Sequence, residues 1–214
     1  MSTPALPFPH CWDNVLPKGQ THDGIIHVTE QDFTAQRPSL EQPILQTATF
    51  AISQKVMREY APEEFNTRFI SSQVTAEDIK GYTVTSIRLW LRILHNTVTP
   101  DLYHIPIEDV WYAIAFGQHF RFPITKLPKW YDKWWKATFP NPNTLRSEQL
   151  RQLIYPSYEV GGGGKLEFVT KRLWDLAGHL RETNPTQYPE LFVPPIAIAA
   201  RNKGQSYSLF SSAV

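Results

Sequence analysis

Eighteen prolines in 214 residues, against ten glycines, set the framework within which this chain folds. Proline holds φ at about −65° and has no N–H to donate, so its positions mark the boundaries between elements. Between the prolines, short β-branched runs occupy the first third of the chain and amphipathic helical stripes the rest. That order predicts an α+β fold: a small β-sheet of about three strands flanked by a helical cluster, then an α-helical extension.

Pro4, Pro7, Pro9 and Pro17 fall in residues 1–21, which lack apolar periodicity and are expected to form an extended, poorly ordered arm. Asp23 to Val28 reads as a short strand, and Thr47 to Ile52, with Phe50 in the core, as a second. Residues 29–46 are polar, contain Pro38 and Pro43, and read as a loop. Ser53 is placed to cap a helix carrying Val56, Met57 and Tyr60, and Pro62 to open another with Phe65 and Phe69. A third short strand is expected within Ser71 to Ile79.

The helical stripes are clearer. Thr83 or Thr85 caps a helix whose Ile87, Trp90, Leu91 and Leu94 share one face, with Arg88 and Arg92 away from it. His95 lies where a cation meets the negative end of that helix dipole. Pro106 opens the next helix, with Glu108 and Asp109 in its first turn, Trp111 and Ile114 in the core, and Gly117 and Phe122-Pro123 closing it. Pro128 opens a third, in which Trp130, Tyr131 and Trp134 repeat at core spacing.

A proline-rich stretch at Phe139 to Asn143 reads as a linker, and Leu150, Leu153 and Ile154 as a short helix ended by Pro156. Gly161 to Gly164 reads as a flexible loop, followed by a last amphipathic helix with Leu173 and Trp174 in the core. The expected organisation is an arm over 1–21, a domain over 22–139, a helical extension over 140–200 and a flexible tail over 201–214.

Composition narrows the function classes. Lys+Arg number 21 and Asp+Glu 20, a balance that argues against binding driven by bulk charge to nucleic acid or membrane. With 42% hydrophobic and 13% aromatic residues, the chain has ample material for a core. A single cysteine, Cys11, excludes an internal disulfide framework and fits a cytoplasmic or nuclear setting. Neither a leader segment nor an apolar stretch of membrane-spanning length is read in the sequence, so a soluble protein is expected.

No reaction is legible. The glycines before Lys165 fail as a phosphate loop, because Glu159 stands where the first glycine belongs and Leu166 where the hydroxyl belongs. The seven histidines lack helical metal-ligand spacing, and no Gly-x-Ser-x-Gly elbow occurs. The expectation is no enzyme, no metal and no cofactor. The alternative to a protein-binding role is a nucleic-acid-binding or transcription-associated accessory protein. Its basis is Lys126, Lys129, Lys133 and Lys136, four lysines against Asp132, interleaved with aromatics. Aromatics at core spacing should face inward, however, which makes the lysines an ordinary solvated helix face and argues against nucleic-acid binding.

The order of signals resembles the BTB/POZ fold: strand, strand, two short helices, strand, then three helices with a Trp-rich last one. The nearer likeness is to divergent BTB-like proteins of filamentous fungi that carry a helical C-terminal extension. It rests on TFAISQKVMREYAPEEFNTRF, IRLWLRILHNTV, IPIEDVWYAIAFGQHFRF followed by LPKWYDKWW, and RQLIYPSYEV with GHLRETNPT. The resemblance implies a non-enzymatic protein–protein interaction module that self-associates, or acts as an adaptor to a cullin-type ubiquitin ligase. Carried onto this chain, its partner-binding residues would be Asn96, Asp101, Leu102, Tyr103 and Glu108.

Overall fold

The computed structural model describes residues 9–32, 43–70 and 77–194. Its strands are β1 (His10–Asn14), β2 (Gly24–Gln31), β3 (Ile44–Ile52) and β4 (Ile79–Lys80). They form one mixed sheet in the order β1-β3-β2-β4, with β2 and β3 antiparallel and β1 and β4 parallel to their neighbours. Seven helices follow among the described residues: α1 (Gln54–Tyr60), α2 (Glu63–Phe69), α3 (Val84–Leu94), α4 (Ile107–His119), α5 (Leu127–Thr138), α6 (Ser147–Glu159) and α7 (Gly162–Ala177). The fold is α+β, with its helices concentrated C-terminally.

Alternation builds the sheet. Ile26 and Val28 of β2 lie opposite Phe50 and Ala48 of β3, and all four side chains enter the core. α3 packs on this sheet with Ile87, Trp90, Leu91 and Leu94 buried. Its start is fixed twice: Thr83 Oγ1 accepts from the Ser86 amide at 3.1 Å, and Glu30 of β2 accepts from the Val84 amide at 2.7 Å.

α4 is the central helix. Every residue from Asp109 to Gly117 is buried, Trp111 and Ile114 completely, as expected for a helix surrounded by other elements. Trp90 donates to the Ala113 carbonyl at 2.6 Å and ties α3 to it. Gly117 does not end α4 but lies inside it. A Cβ there would sit 2.4 Å from Ile124 Cδ1 and 2.6 Å from Trp90 Cζ2, so the glycine permits close approach.

Other expectations are corrected as well. The arm is not wholly unstructured, because residues 10–14 form β1 as a fourth strand. It pairs in parallel with β3, and the Asp13 carboxylate ties it to α3, accepting from Arg88 at 2.9 Å and Arg92 at 2.5 Å. Ser53 precedes α1 without a side-chain cap; its amide instead donates to His95 Nε2 at 3.0 Å. The third strand starts only at Ile79, and residues 71–76 of its expected span lie outside the described residues.

Pro156 lies within α6 rather than ending it. Proline cannot donate to the carbonyl four residues back, that of Gln152, and the Trp111 indole supplies the missing donor at 2.7 Å. The glycine run is not a loop, since Gly162 to Gly164 form the first turn of α7. Gly161 lets the chain pass close to Tyr131 and Ser157: an added Cβ would lie 2.9 Å from Tyr131 Cε1 and 2.8 Å from Ser157 Cα.

α6 packs on both α4 and α7, so one hydrophobic cluster runs from the sheet through α7. Leu173 is buried in it, whereas Trp174 is 48% exposed. The expectation that Trp174 lies in the core is corrected: about 100° round the helix from Leu173, it sits beyond the face that α6 covers. The tail over 201–214 lies outside the described residues. No helix among those described is long and apolar enough to cross a membrane.

Candidate interaction surface

The segment between α3 and α4 is tied by side-chain hydrogen bonds to three neighbouring parts of the fold. α3 is followed directly by His95, which is buried. Its Nδ1 faces the Leu91 carbonyl at 2.7 Å while Nε2 accepts from the Ser53 amide. These partners require the neutral ring with its proton on Nδ1, and burial pushes its pKa down. His95 is therefore not a cationic dipole partner but a neutral bridge between α3 and the start of α1. Asn96 follows in the left-handed region at φ 55°, exposed, where a helix end favours glycine or asparagine. Thr97 Oγ1 donates to the Val15 carbonyl at 2.5 Å, fastening the segment to the end of β1.

Pro100–Tyr103 then forms a single 3-10 turn. α5 holds it from inside: Trp130 Nε1 donates to the Leu102 carbonyl at 3.1 Å, Thr138 Oγ1 to Tyr103 at 3.1 Å and Trp134 Nε1 to Ile105 at 2.8 Å. Both indoles are buried, as is Tyr131, whose hydroxyl meets Ser157 Oγ at 3.2 Å. Every polar group on these core aromatics has a partner, which makes their burial favourable.

The five expected partner-binding residues thus divide. Asp101 and Tyr103 share the turn; Asp101 is exposed and pairs with Arg88 at 3.2 Å, and Tyr103 is half-buried. Leu102 is corrected: its side chain is 1% exposed, filling the core beneath the turn, so it cannot touch a partner. Asn96 lies just upstream. Glu108 is exposed but belongs to another surface, lining a pocket with Glu30, Thr83, Tyr112 and Gln187. Desolvation, then the Glu30 charge, pushes its carboxyl pKa up.

Beside the turn lies the solvated side of α5. Lys129, Lys133 and Lys136 are exposed, and the Lys133 ammonium stands 5.6 Å from the centroid of the Tyr103 ring. Lys126 covers the Tyr60 ring at 3.9 Å, and Asp132 pairs with Lys165. Because Trp130, Tyr131, Trp134 and Trp135 are all buried, α5 offers lysines without stacking rings of its own. The result is a rigid turn carrying Asp101 and Tyr103 next to a lysine row.

Asp13 is the residue of this region that sequence reasoning missed. Its arginine partners lie 75 and 79 positions away, and no local pattern signals such a contact. Among the described residues no group of three or more histidine, cysteine or acidic side chains could hold a metal ion. No family model matches the chain, and no curated protein or solved structure is detectably similar to it.

Proposed function

We propose that this chain is a non-enzymatic protein–protein interaction module of the BTB/POZ kind, acting as an adaptor through Pro100–Tyr103 and the adjoining lysine row of α5. The observation that carries the reading is the stretch from the turn to Ile105, whose main chain is held by two buried indoles and a hydroxyl while Asp101 is exposed and Tyr103 half-exposed. A preorganised turn loses little freedom on binding, which favours recognition. The succession β2, β3, α1, α2, β4, α3, α4 and the Trp-rich α5 supports the family reading, since it is the order on which the resemblance rests.

The partner is a protein with an acidic segment complementary to Lys129, Lys133 and Lys136, and a cullin-type ligase scaffold is the first candidate. Biolayer interferometry with a purified cullin N-terminal domain tests the proposal directly, beside light scattering for self-association. Asp101→Ala with Lys133→Glu, both at exposed positions, should weaken binding by about tenfold or more while leaving the melting temperature near that of the parent. Undiminished binding by this variant would move the contact elsewhere. A monomer that does not bind the scaffold would remove both forms of the proposal. Binding of a single-stranded oligonucleotide that weakens steeply with salt would support the lysine row as a phosphate-contacting surface instead.

A further inference from the structure

After α7, residues 178–194 return across the body of the protein without forming helix or strand. Gly178, at φ 67°, starts the reversal. The segment orders itself first. Asn184 Oδ1 accepts from the Thr186 amide at 2.7 Å, and Asn184 Nδ2 donates to the carbonyls of Tyr188 at 2.7 Å and Leu191 at 3.2 Å. Such an asparagine-centred turn presents the following side chains in a fixed direction.

Those side chains then enter a cleft between the β4–α3 turn and α4. The Tyr188 ring stacks on Tyr82 with centroids 5.5 Å apart and meets His119 edge-on at 4.8 Å and Tyr112 at 6.0 Å. Its hydroxyl donates to the Gly81 carbonyl at 2.6 Å, and the same carbonyl accepts from Gln187 at 3.0 Å. Two residues on, Glu190 pairs with His119 Nε2 at 3.0 Å, and the other ring nitrogen of His119 meets the Tyr82 hydroxyl at 2.7 Å. Leu191 and Val193 are buried beyond it.

This is the anatomy of a bound peptide. An aromatic side chain fills a pocket, a charged group pairs at its rim, and aliphatic residues follow at fixed spacing. Among the described residues its main-chain bond to the body is a single long one, from the Thr183 amide to the Arg151 carbonyl at 3.4 Å, so side chains carry the docking and no strand pairing has to break for it to leave. We propose that this cleft is a docking site for extended peptides anchored by tyrosine, and that residues 184–193 are its resident ligand in cis. A partner carrying tyrosine, an acidic residue two positions on and aliphatic residues three and five positions on competes with the chain's own segment. The site is distinct from the turn at Pro100–Tyr103 and does not depend on that reading.

The tether formed by α7 gives the resident segment a high effective concentration, so the parent protein should resist outside peptide. A fluorescein-labelled peptide of residues 182–194 is titrated, by anisotropy, into the full chain, into Tyr188→Ala and into Glu190→Gln. Either loosened variant should bind at least about tenfold more tightly than the parent, and a peptide with alanine in place of tyrosine should not bind. Glu190→Gln keeps every buried ring, so it tests the cleft even where Tyr188→Ala unfolds. Absence of binding by folded variants up to roughly 100 µM peptide overturns the proposal. Equal binding of the tyrosine-free peptide, or unfolding of both variants, overturns it too.

Discussion

The indole N–H of Trp111 donates to the Gln152 carbonyl at 2.7 Å, occupying the acceptor that Pro156 leaves without its helical partner. One contact thereby makes a proline tolerable inside α6 and joins that helix to the buried α4. Trp111→Phe would orphan a buried carbonyl and cost about 1–3 kcal/mol, read from the urea midpoint. In the Pro156→Ala background, where an amide N–H is again present for Gln152, that cost should fall by about 1 kcal/mol. An unchanged cost would show that the indole acts through packing alone.

Asp13 holds β1 in the sheet through two arginines, of which the Arg92 side chain is only 12% exposed. Asp13→Ala leaves that arginine charge without its partner and should destabilise the protein by about 3 kcal/mol. Hydrogen exchange should show the amides of residues 10–14 losing protection well before those of β2 and β3. Simultaneous loss in all three strands would show that β1 is not a separable element.

His95 makes the protein sensitive to mild acid. Its pKa is pushed below the ordinary 6.5, chiefly by burial, so the unfolded chain takes up a proton that the folded chain refuses. Stability from this group is therefore present above pH 6.5 and declines as pH falls through that value. Chemical denaturation at stepped pH, compared with His95→Gln, should show a shallower decline in the variant.

Glu182 acts in the opposite sense. Burial pushes its carboxyl from 4.5 up to about 7 while its oxygens accept from the Val193 amide. Here the folded chain keeps a proton that the unfolded chain has released. The contribution is full below pH 4.5 and is lost as pH rises to about 7. Glu182→Gln retains an acceptor for Val193 and should flatten this part of the profile.

The glycines before Lys165 are not equivalent. Nothing lies within 4 Å of a Cβ built at Gly163 or Gly164, so alanine at either should stabilise α7 by about 0.5–1 kcal/mol. Gly161→Ala should destabilise the protein through its contacts with Ser157 and Tyr131. Gly162, at φ 69°, should tolerate no side chain without strain. Melting temperatures of the four single alanine variants check the ranking.

The three middle helices were legible because their apolar residues repeat at the helical period. Ile87, Trp90, Leu91 and Leu94 trace one face of α3 without any knowledge of what covers it. β1 was not legible, because His10–Asn14 has no alternating apolar pattern and is held by main-chain pairing with β3 and by ion pairs with α3. Pro156 misled for a related reason: its usual helix-ending effect is offset by a donor 41 positions away. Leu102 was named for its place in a loop, but side-chain direction decides whether a loop residue meets solvent, and here it points into the core. The cleft that receives Tyr188 joins segments 107 positions apart, and neither half is distinctive by itself.

The stretch from Pro100 to Ile105 takes its contour from carbonyl oxygens held by two indoles and a hydroxyl behind it, with Leu102 and Ile105 buried and Tyr103 half-buried. Its outward positions are thus free to drift. New specificities can be written there one substitution at a time, on a main chain that is held mainly from behind.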